Sequence, residues 1–275
     1  MMDPIDGEPF KGRLPVENAV AQMPDLPQSH SGGRHDDGTD LRAAHNFGSM
    51  ADRQPLVSVI TPVFNGAHTL RRAFDSLKAQ TVAWQYIVVD DGSTDDTPRV
   101  IEAIARDPGV VHTRTANRGT SAAHNTALDL ATGDFVAFLD ADDEYLPNHL
   151  SSHLAAMSAH PEVDILWGGL EIVADSPDDM LAPDVAAGFG FISIHECVTQ
   201  GTMFVRRRVF ETMRFTGDRD VWWHDYDFVQ RAEGRFNVRR FHEPTYRYYR
   251  NTASSAVDRL KANWPTSAMP AEGSR

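Results

Sequence analysis

The chain has 275 residues, 41% of them apolar and 24% charged, which is enough for one large domain or two small ones and too apolar for a wholly disordered polymer. Its 39 acidic against 26 basic side chains give a formal charge of −13, and such a surface repels a polyphosphate backbone, excluding general nucleic-acid binding. A ligand with one or two phosphates remains compatible, because a bound cation or a few local arginines reverse the field inside a small cleft. The single cysteine, Cys197, lies in an apolar stretch without a partner in the chain, so it reads as a buried inert thiol in a reducing compartment. No apolar run approaches the roughly 20 residues of a membrane span and no basic-then-apolar leader is present, so no transmembrane span and a cytoplasmic address are expected.

Residues 1–53 are rich in Pro, Gly, Asp, His and Ser, and the polar run 29–40 has nothing to bury; they read as a flexible tail, with His30 and His35 solvated rather than metal-bound. From residue 56 short β-branched runs alternate with longer amphipathic segments, the pattern of βαβ units on a parallel sheet. Residues 56–61 (LVSVIT) form a continuous apolar strand, and Leu70, Ala73, Phe74 and Leu77 then share one helical face within 67–80. A second strand covers 84–90, and Pro98 near the first turn and Val100, Ile101 and Ile104 mark a second helix. A strand at 110–115, a helix at 121–131 and a buried strand at 135–139 (FVAFL) follow. The second half predicts a helix over 147–159, a strand near 164–173, a strand over 202–205, and a helix starting near Arg208. Residues 261–275 read as a second tail.

Open α/β sheets bind ligands outside the carboxyl ends of their strands, and polar clusters stand at those ends here. Asp90 and Asp91 open a D-D-G-S turn straight after the second strand. They suit a base edge or ribose hydroxyl, and equally a turn that caps the next helix. Asp140, Asp142 and Asp143 follow the fourth strand within four residues. Their mutual repulsion is relieved by a hard divalent cation bridging one or two carboxylates to phosphates; the alternative is a solvated acidic loop. Residues 222–228 (WWHDYDF) add a third acidic cluster beside aromatics. Trp223 offers a sugar platform there and a carboxylate a general base, or the segment is a helix start whose aromatics pack in the core. Arg247 and Arg250 late in the chain suit an anionic leaving group or an exposed edge strand. His149 and His153, four apart on one helix, read as a partly exposed face rather than a metal site.

Together, PLVSVITPVFN, IVVDDGSTDDT, NRGTSAAHN, FVAFLDADDEYLP and HDYDF resemble family 2 glycosyltransferases with the GT-A fold, in order and in approximate spacing, over roughly residues 55–255. The resemblance implies a mostly parallel central sheet flanked by helices within 54–260. A Rossmann-like nucleotide-sugar-binding half (54–146) would precede an acceptor and catalytic half (147–260). It implies Pro62 and Phe64 at the base pocket, Asp90 and Asp91 on uracil and ribose, and Asn117 and Gly119 along the donor. In the D-x-D element it places Asp140 on the donor and Asp142 on Mn²⁺ or Mg²⁺. Asp225 then matches the catalytic base, and Arg250 falls near the loop closing over the diphosphate.

The implied reaction is transfer of a sugar from a nucleotide-diphosphate carrier, UDP foremost, to a hydroxyl of a glycan, lipid-linked or protein acceptor, with inversion at the anomeric carbon. Three positions depart from the family pattern: His124 stands where arginine is common, His224 where an acid often precedes the base, and Asn251 where histidine is frequent. Two other functions fit some of the same letters, a non-catalytic nucleotide-sugar binder and a Mg²⁺-dependent nucleotidyltransferase. The latter needs a basic glycine-rich loop after the first strand, where this chain has TPVFNGAH.

Overall fold

The apolar runs assemble as the alternation predicts. The structure, a computed structural model, describes residues 4–5, 56–216, 223–251, 256–262 and 264–265. The run 29–40, His30, His35 and Trp222 lie outside the described residues. The first half gives β1 (Val57–Val63), α1 (Leu70–Lys78), β2 (Trp84–Asp90), α2 (Thr97–Ile104), β3 (Val110–Arg114), α3 (Thr120–Leu130) and β4 (Phe135–Phe138). There follow β5 (Glu144–Tyr145), α4 (His149–Ala159), β6 (Ile165–Trp167), β7 (Leu170–Val173), β8 (Leu181–Pro183), β9 (Phe191–Ser193) and β10 (Phe204–Arg206). The chain continues through α5 (His224–Ala232), β11 (Val238–Arg240), β12 (Tyr246–Tyr249) and α6 (Ala256–Lys261).

Seven strands form the main sheet in the order β11-β6-β10-β4-β1-β2-β3. All its pairs are parallel except those of β10, which runs antiparallel to both β4 and β6. Strands from both halves of the chain therefore share one continuous sheet. Because successive side chains of a strand point to opposite faces, the strands sort their residues into two cores. Val57, Val59 and Val63 meet Leu70 and Phe74 of α1 on one face, while Ile60, Ile87 and Phe138 meet Ala123 and Ala127 of α3 on the other. Pro62, which lacks an amide hydrogen, is tolerated in this central strand because it lies beyond Ile60, the last β1 residue paired with β4.

The second half departs from the sequence reading in several places. The strand expected over 164–173 is two strands in different sheets, β6 in the main sheet and β7 beside β12 and β5. Gly168 and Gly169, at φ 105° and 77°, make the break. A Cβ on Gly169 would sit 2.2 Å from the Glu243 carbonyl oxygen, so a side chain is excluded where the chain changes sheets. The helix expected from Arg208 is a short 3-10 turn, Arg207–Glu211.

Parts of the stretches read as tails are packed. The His242 N–H donates to the Pro4 carbonyl (3.0 Å), and Ile5 bridges to Phe241 in the core. Trp264 is buried edge-on to Trp223, and the Gly190 N–H donates to the Pro265 carbonyl at 2.7 Å. Among the described residues no helix is long and apolar enough to cross a membrane.

His149 and His153 are fully buried, contrary to the exposed face expected of them. Rings pack where a partly exposed face was expected: Tyr145 stacks on His149 at 3.9 Å, while His149 meets His153 at 4.4 Å and His153 meets Phe241 at 4.2 Å between centroids, both tilted. The His149 Nδ1 bonds Thr245 Oγ1, and the His153 Nδ1 donates to the His149 carbonyl. Burial holds both imidazoles neutral, and that of His153 is lowered to about 4.

Since the unfolded chain binds that proton near pH 6.5, the contribution of His153 is whole above that pH and is lost as pH falls toward 4. His153→Leu removes this pH dependence. The difference in urea-unfolding stability between variant and wild type is expected to change by up to about 3 kcal/mol between pH 7 and 4. A difference that stays constant with pH would contradict the neutral buried imidazole.

Candidate active site

The parallel strands β4, β1, β2 and β3 all end on one side, and their terminal residues build the site. After β1, Phe64 is exposed and Asn65 takes a left-handed φ of 55°. The Asn65 side-chain oxygen accepts from the Thr94 N–H at 2.8 Å, and its own N–H donates to Ser93 Oγ at 2.9 Å. The loops after β1 and β2 are thereby latched together, with the partly buried Pro62 and the open Phe64 ring on this rim.

Asp90 and Asp91 are both buried and both engaged internally. Asp90 accepts from the Ser93 N–H at 2.8 Å and from the Arg114 guanidinium. Asp91 accepts from Thr115 Oγ1 (2.7 Å) and from the N–H groups of Arg118 (2.8 Å) and Gly119 (2.7 Å), at the start of α3. Negative charge is favoured at a helix N-terminus, so Asp91 braces the segment carrying Asn117 and Gly119 against the end of β2. Of the two roles open for this pair, the turn is visible in the Asp90–Ser93 bond, but the helix start that Asp91 braces is that of α3 and not of α2, the next helix.

The four-residue turn after β4 divides its carboxylates. Asp143 points inward and is fully buried, accepting from Tyr246 Oη at 2.8 Å and from the Tyr249 N–H at 2.9 Å. The Asp140 N–H in turn donates to Tyr246 Oη (3.2 Å), so one tyrosine holds both ends of the turn. Asp140 and Asp142 stay half-buried. Arg72, its guanidinium stacked 3.9 Å from the Tyr249 ring centre, donates to the main-chain carbonyl of Asp142.

Burial, then Asp142, then Asp225 push the Asp140 carboxyl up to about 7. Asp225, 85 residues on in the chain, contributes to that field. Asp142 is also raised, chiefly by burial, and Asp143 well above the usual carboxylate range by burial and by its two neighbours. Burial thus crowds three carboxylates together; the Arg72 guanidinium opposes the shift of Asp142, but among the described residues no Lys or Arg forms an ion pair with the carboxylate of Asp140 or Asp142.

A hard divalent cation with oxygen ligands fits that deficit. Among the described residues no group of three or more His, Cys, Asp or Glu is arranged to hold a metal by itself. Asp142 and Asp140 would therefore need oxygens from a bound diphosphate to complete such a site.

Asp225 stands in the first turn of α5, where the helix dipole favours a carboxylate. One oxygen accepts from the Tyr226 N–H at 2.8 Å and the other from the Gln200 N–H at 3.3 Å. Burial raises its carboxyl, with His224 and these hydrogen bonds opposing. Behind it, His224 hydrogen-bonds the side-chain carbonyl of Gln200 and lies 5.7 Å, centroid to centroid, from the fully buried His124. Trp223 precedes this turn, against Trp264.

Arg250 is placed differently from the expectation that it faces a diphosphate. Its guanidinium is buried, donating to Asp258 of α6 at 2.6 Å and to the Asp179 carbonyl at 3.2 Å. It ties α6 to the Pro177–Met180 turn, because α6 supplies a carboxylate that pairs with it before any ligand does. Gln200, Arg72 and Tyr246 are the residues at this site that sequence reasoning did not single out.

Residues 58–214, more than half of the chain, match the model of the family described as Glycosyl transferase family 2. The chain belongs to that family. It is 34% identical over 119 residues to the E. coli UDP-Glc:alpha-D-GlcNAc-diphosphoundecaprenol beta-1,3-glucosyltransferase WfgD, covering 43% of this chain and 47% of WfgD. Among solved structures, this family 2 chain resembles S. aureus TarS 1-349 in complex with UDP-GlcNAc. The TM-score is 0.58 and the identity 22%, over 73% of this chain and 60% of that one. It also resembles the mannosyltransferase PcManGT from Pyrobaculum calidifontis in complex with GDP-Man and Mn2+, with TM-score 0.56 and 21% identity over 71% and 57% of the two chains. These likenesses establish the GT-A fold. The chain spans about half the length of WfgD and about 60% of these structures.

Proposed function

We propose that the chain transfers a sugar from a nucleotide-diphosphate carrier, UDP foremost, to an acceptor hydroxyl with inversion. The observation that carries this reading is a chain of contacts between two segments remote in sequence: the Gln200 N–H donates to Asp225, the adjacent Gly201 lies against the Tyr246 hydroxyl, and that hydroxyl bonds the Asp140 N–H and the Asp143 carboxylate. Membership of family 2 and the UDP-Glc in the name of WfgD support it. A cytoplasmic address belongs to the same reading, since Cys197 has no disulfide partner in the chain.

In this reading the rim of Pro62 and Phe64 receives the base. Asp90 and Asp91 shape the nucleoside pocket together with Asn117 and Gly119, and Asp140 faces the donor sugar. Asp142 would hold Mn²⁺ or Mg²⁺, an ion that would supply Lewis-acid stabilisation of the departing phosphate when bound. Trp223 flanks the acceptor, a glycan, lipid-linked or protein hydroxyl.

Asp225 takes the hydroxyl proton as the acceptor oxygen attacks the anomeric carbon from the face opposite the diphosphate. The bond from that carbon to the phosphate oxygen breaks, the nucleoside diphosphate leaves with the bonding pair, and configuration inverts. Arg250 organises α6 rather than touching the leaving group.

Thermal-shift titration with UDP-, GDP- and dTDP-sugars in Mn²⁺ tests the donor assignment. A UDP-sugar at about 100 times its Kd is expected to stabilise the fold by about 2.7 kcal/mol and to release UDP once an acceptor is supplied. No shift with any nucleotide sugar would overturn the reading, and a shift without nucleotide release across acceptors would make the chain a binder.

A further inference from the structure

Between Val198 and Met203, both buried, the chain carries the short 3-10 turn Gln200–Thr202, itself wholly buried. Each of its residues reaches a different part of the site. Thr202 Oγ1 accepts from the Gly168 N–H at 2.9 Å and donates to the Thr199 carbonyl at 2.7 Å, pinning the turn to the point where the chain leaves the main sheet. Gly201 lies under Tyr246, the tyrosine that joins the Asp140 N–H to Asp143; a Cβ there would stand 2.1 Å from its hydroxyl. Gln200 faces the other way, donating its main-chain N–H to Asp225 and accepting from His224 Nε2 at its side-chain carbonyl. One three-residue turn therefore touches both carboxylate centres.

We propose that Gln200 is a positioning residue of the transfer reaction, fixing the rotation of the Asp225 carboxylate directly and the His224 ring behind it. The inference rests on the proposed function and assigns a residue to that same site. Both oxygens of Asp225 are anchored by main-chain donors, one from Tyr226 and one from Gln200, which leaves lone pairs in a fixed direction for the acceptor proton. The side chain locks the turn that presents this N–H. Its carbonyl is held by His224, while its amide nitrogen is buried without a hydrogen-bond partner among the described residues. Buried polar atoms are ordinarily satisfied, so the side chain is held here by its one contact with His224. A glutamate would keep that contact but add a fourth carboxylate to Asp140, Asp142 and Asp225.

The test is a double-substitution cycle of Gln200→Leu and His224→Phe in the full chain, reading kcat, donor KM and the Kd for UDP in Mn²⁺. Gln200→Leu keeps the main-chain donor and loses the carbonyl. It is expected to lower kcat about tenfold or more, as misplacement of a reacting group does, with donor KM and UDP affinity unchanged. The double variant is expected to be no worse than His224→Phe alone, because both substitutions break one contact. Gln200→Asn, which keeps the amide but falls a methylene short of His224, serves as a second variant should Gln200→Leu not fold. The proposal is overturned if kcat stays at the wild-type value, if donor KM rises in step with the loss, or if the two effects multiply. Asp225→Asn in the same assay separates the two readings: if it too retains full turnover, the assignment of the base fails, and this inference with it.

Discussion

Asp225→Asn is expected to lower turnover by about 10² to 10⁴, the range that general-base catalysis contributes, while UDP binding in Mn²⁺ stays near its wild-type strength. Asparagine keeps the shape and one of the two hydrogen bonds from Tyr226 and Gln200, since its NH2 group cannot accept from an N–H, and it cannot take the acceptor's proton. The proposed base suits this task, because burial lifts the Asp225 carboxyl above an ordinary aspartate, and a base works best with a proton affinity near the working pH. Removing a charge that also presses on Asp140 leaves the donor side less repulsive, so donor affinity has no reason to fall. Steady-state kinetics with nucleotide release as the readout checks this; near wild-type turnover would remove Asp225 from the chemistry.

Asp142→Asn is expected to act on the other substrate. A cation on a diphosphate contributes several kcal/mol of charge stabilisation, and each 1.36 kcal/mol is tenfold in rate, so a loss of about 10² or more follows. UDP affinity should fall with it and lose its dependence on Mn²⁺. Excess EDTA is expected to give the wild type the same phenotype, reversed by adding Mn²⁺ or Mg²⁺. Full activity in EDTA would place the transfer outside metal-assisted chemistry and leave the half-buried carboxylates of Asp140 and Asp142 without the cation assigned to them.

The parts of the fold legible in the sequence were those with a local signature. Continuous apolar runs gave β1, β2 and β4 because strands covered on both faces carry no alternation, and the four-residue spacing on α1 named its buried face. The carboxylates at the strand ends were legible for the same reason, since each follows its strand immediately. What stayed hidden depended on distant partners. The split of β6 from β7 is set by Glu243 crowding Gly169, some 74 residues away, and the burial of His149 and His153 by rings from β5, β10 and Phe241.

Arg250 looked like an anion ligand until α6 supplied Asp258. Gln200 carried no local signal, standing between Thr199 and Gly201, with its partners Asp225 and His224 more than 20 residues away. The hydrogen bonds of Asp90 and Asp91 turn inward and hold β2, β3 and the start of α3 together.

The central claim is a division of labour between two carboxylates distant in sequence, Asp142 on the nucleotide and Asp225 on the acceptor. Calorimetric titration of UDP with Mn²⁺ into the Asp142→Asn and Asp225→Asn variants tests it directly, with turnover measured on the same samples. The account predicts that both variants lose turnover and only Asp142→Asn loses metal-dependent UDP binding. Loss of UDP binding in Asp225→Asn, or its full retention in Asp142→Asn, would contradict it.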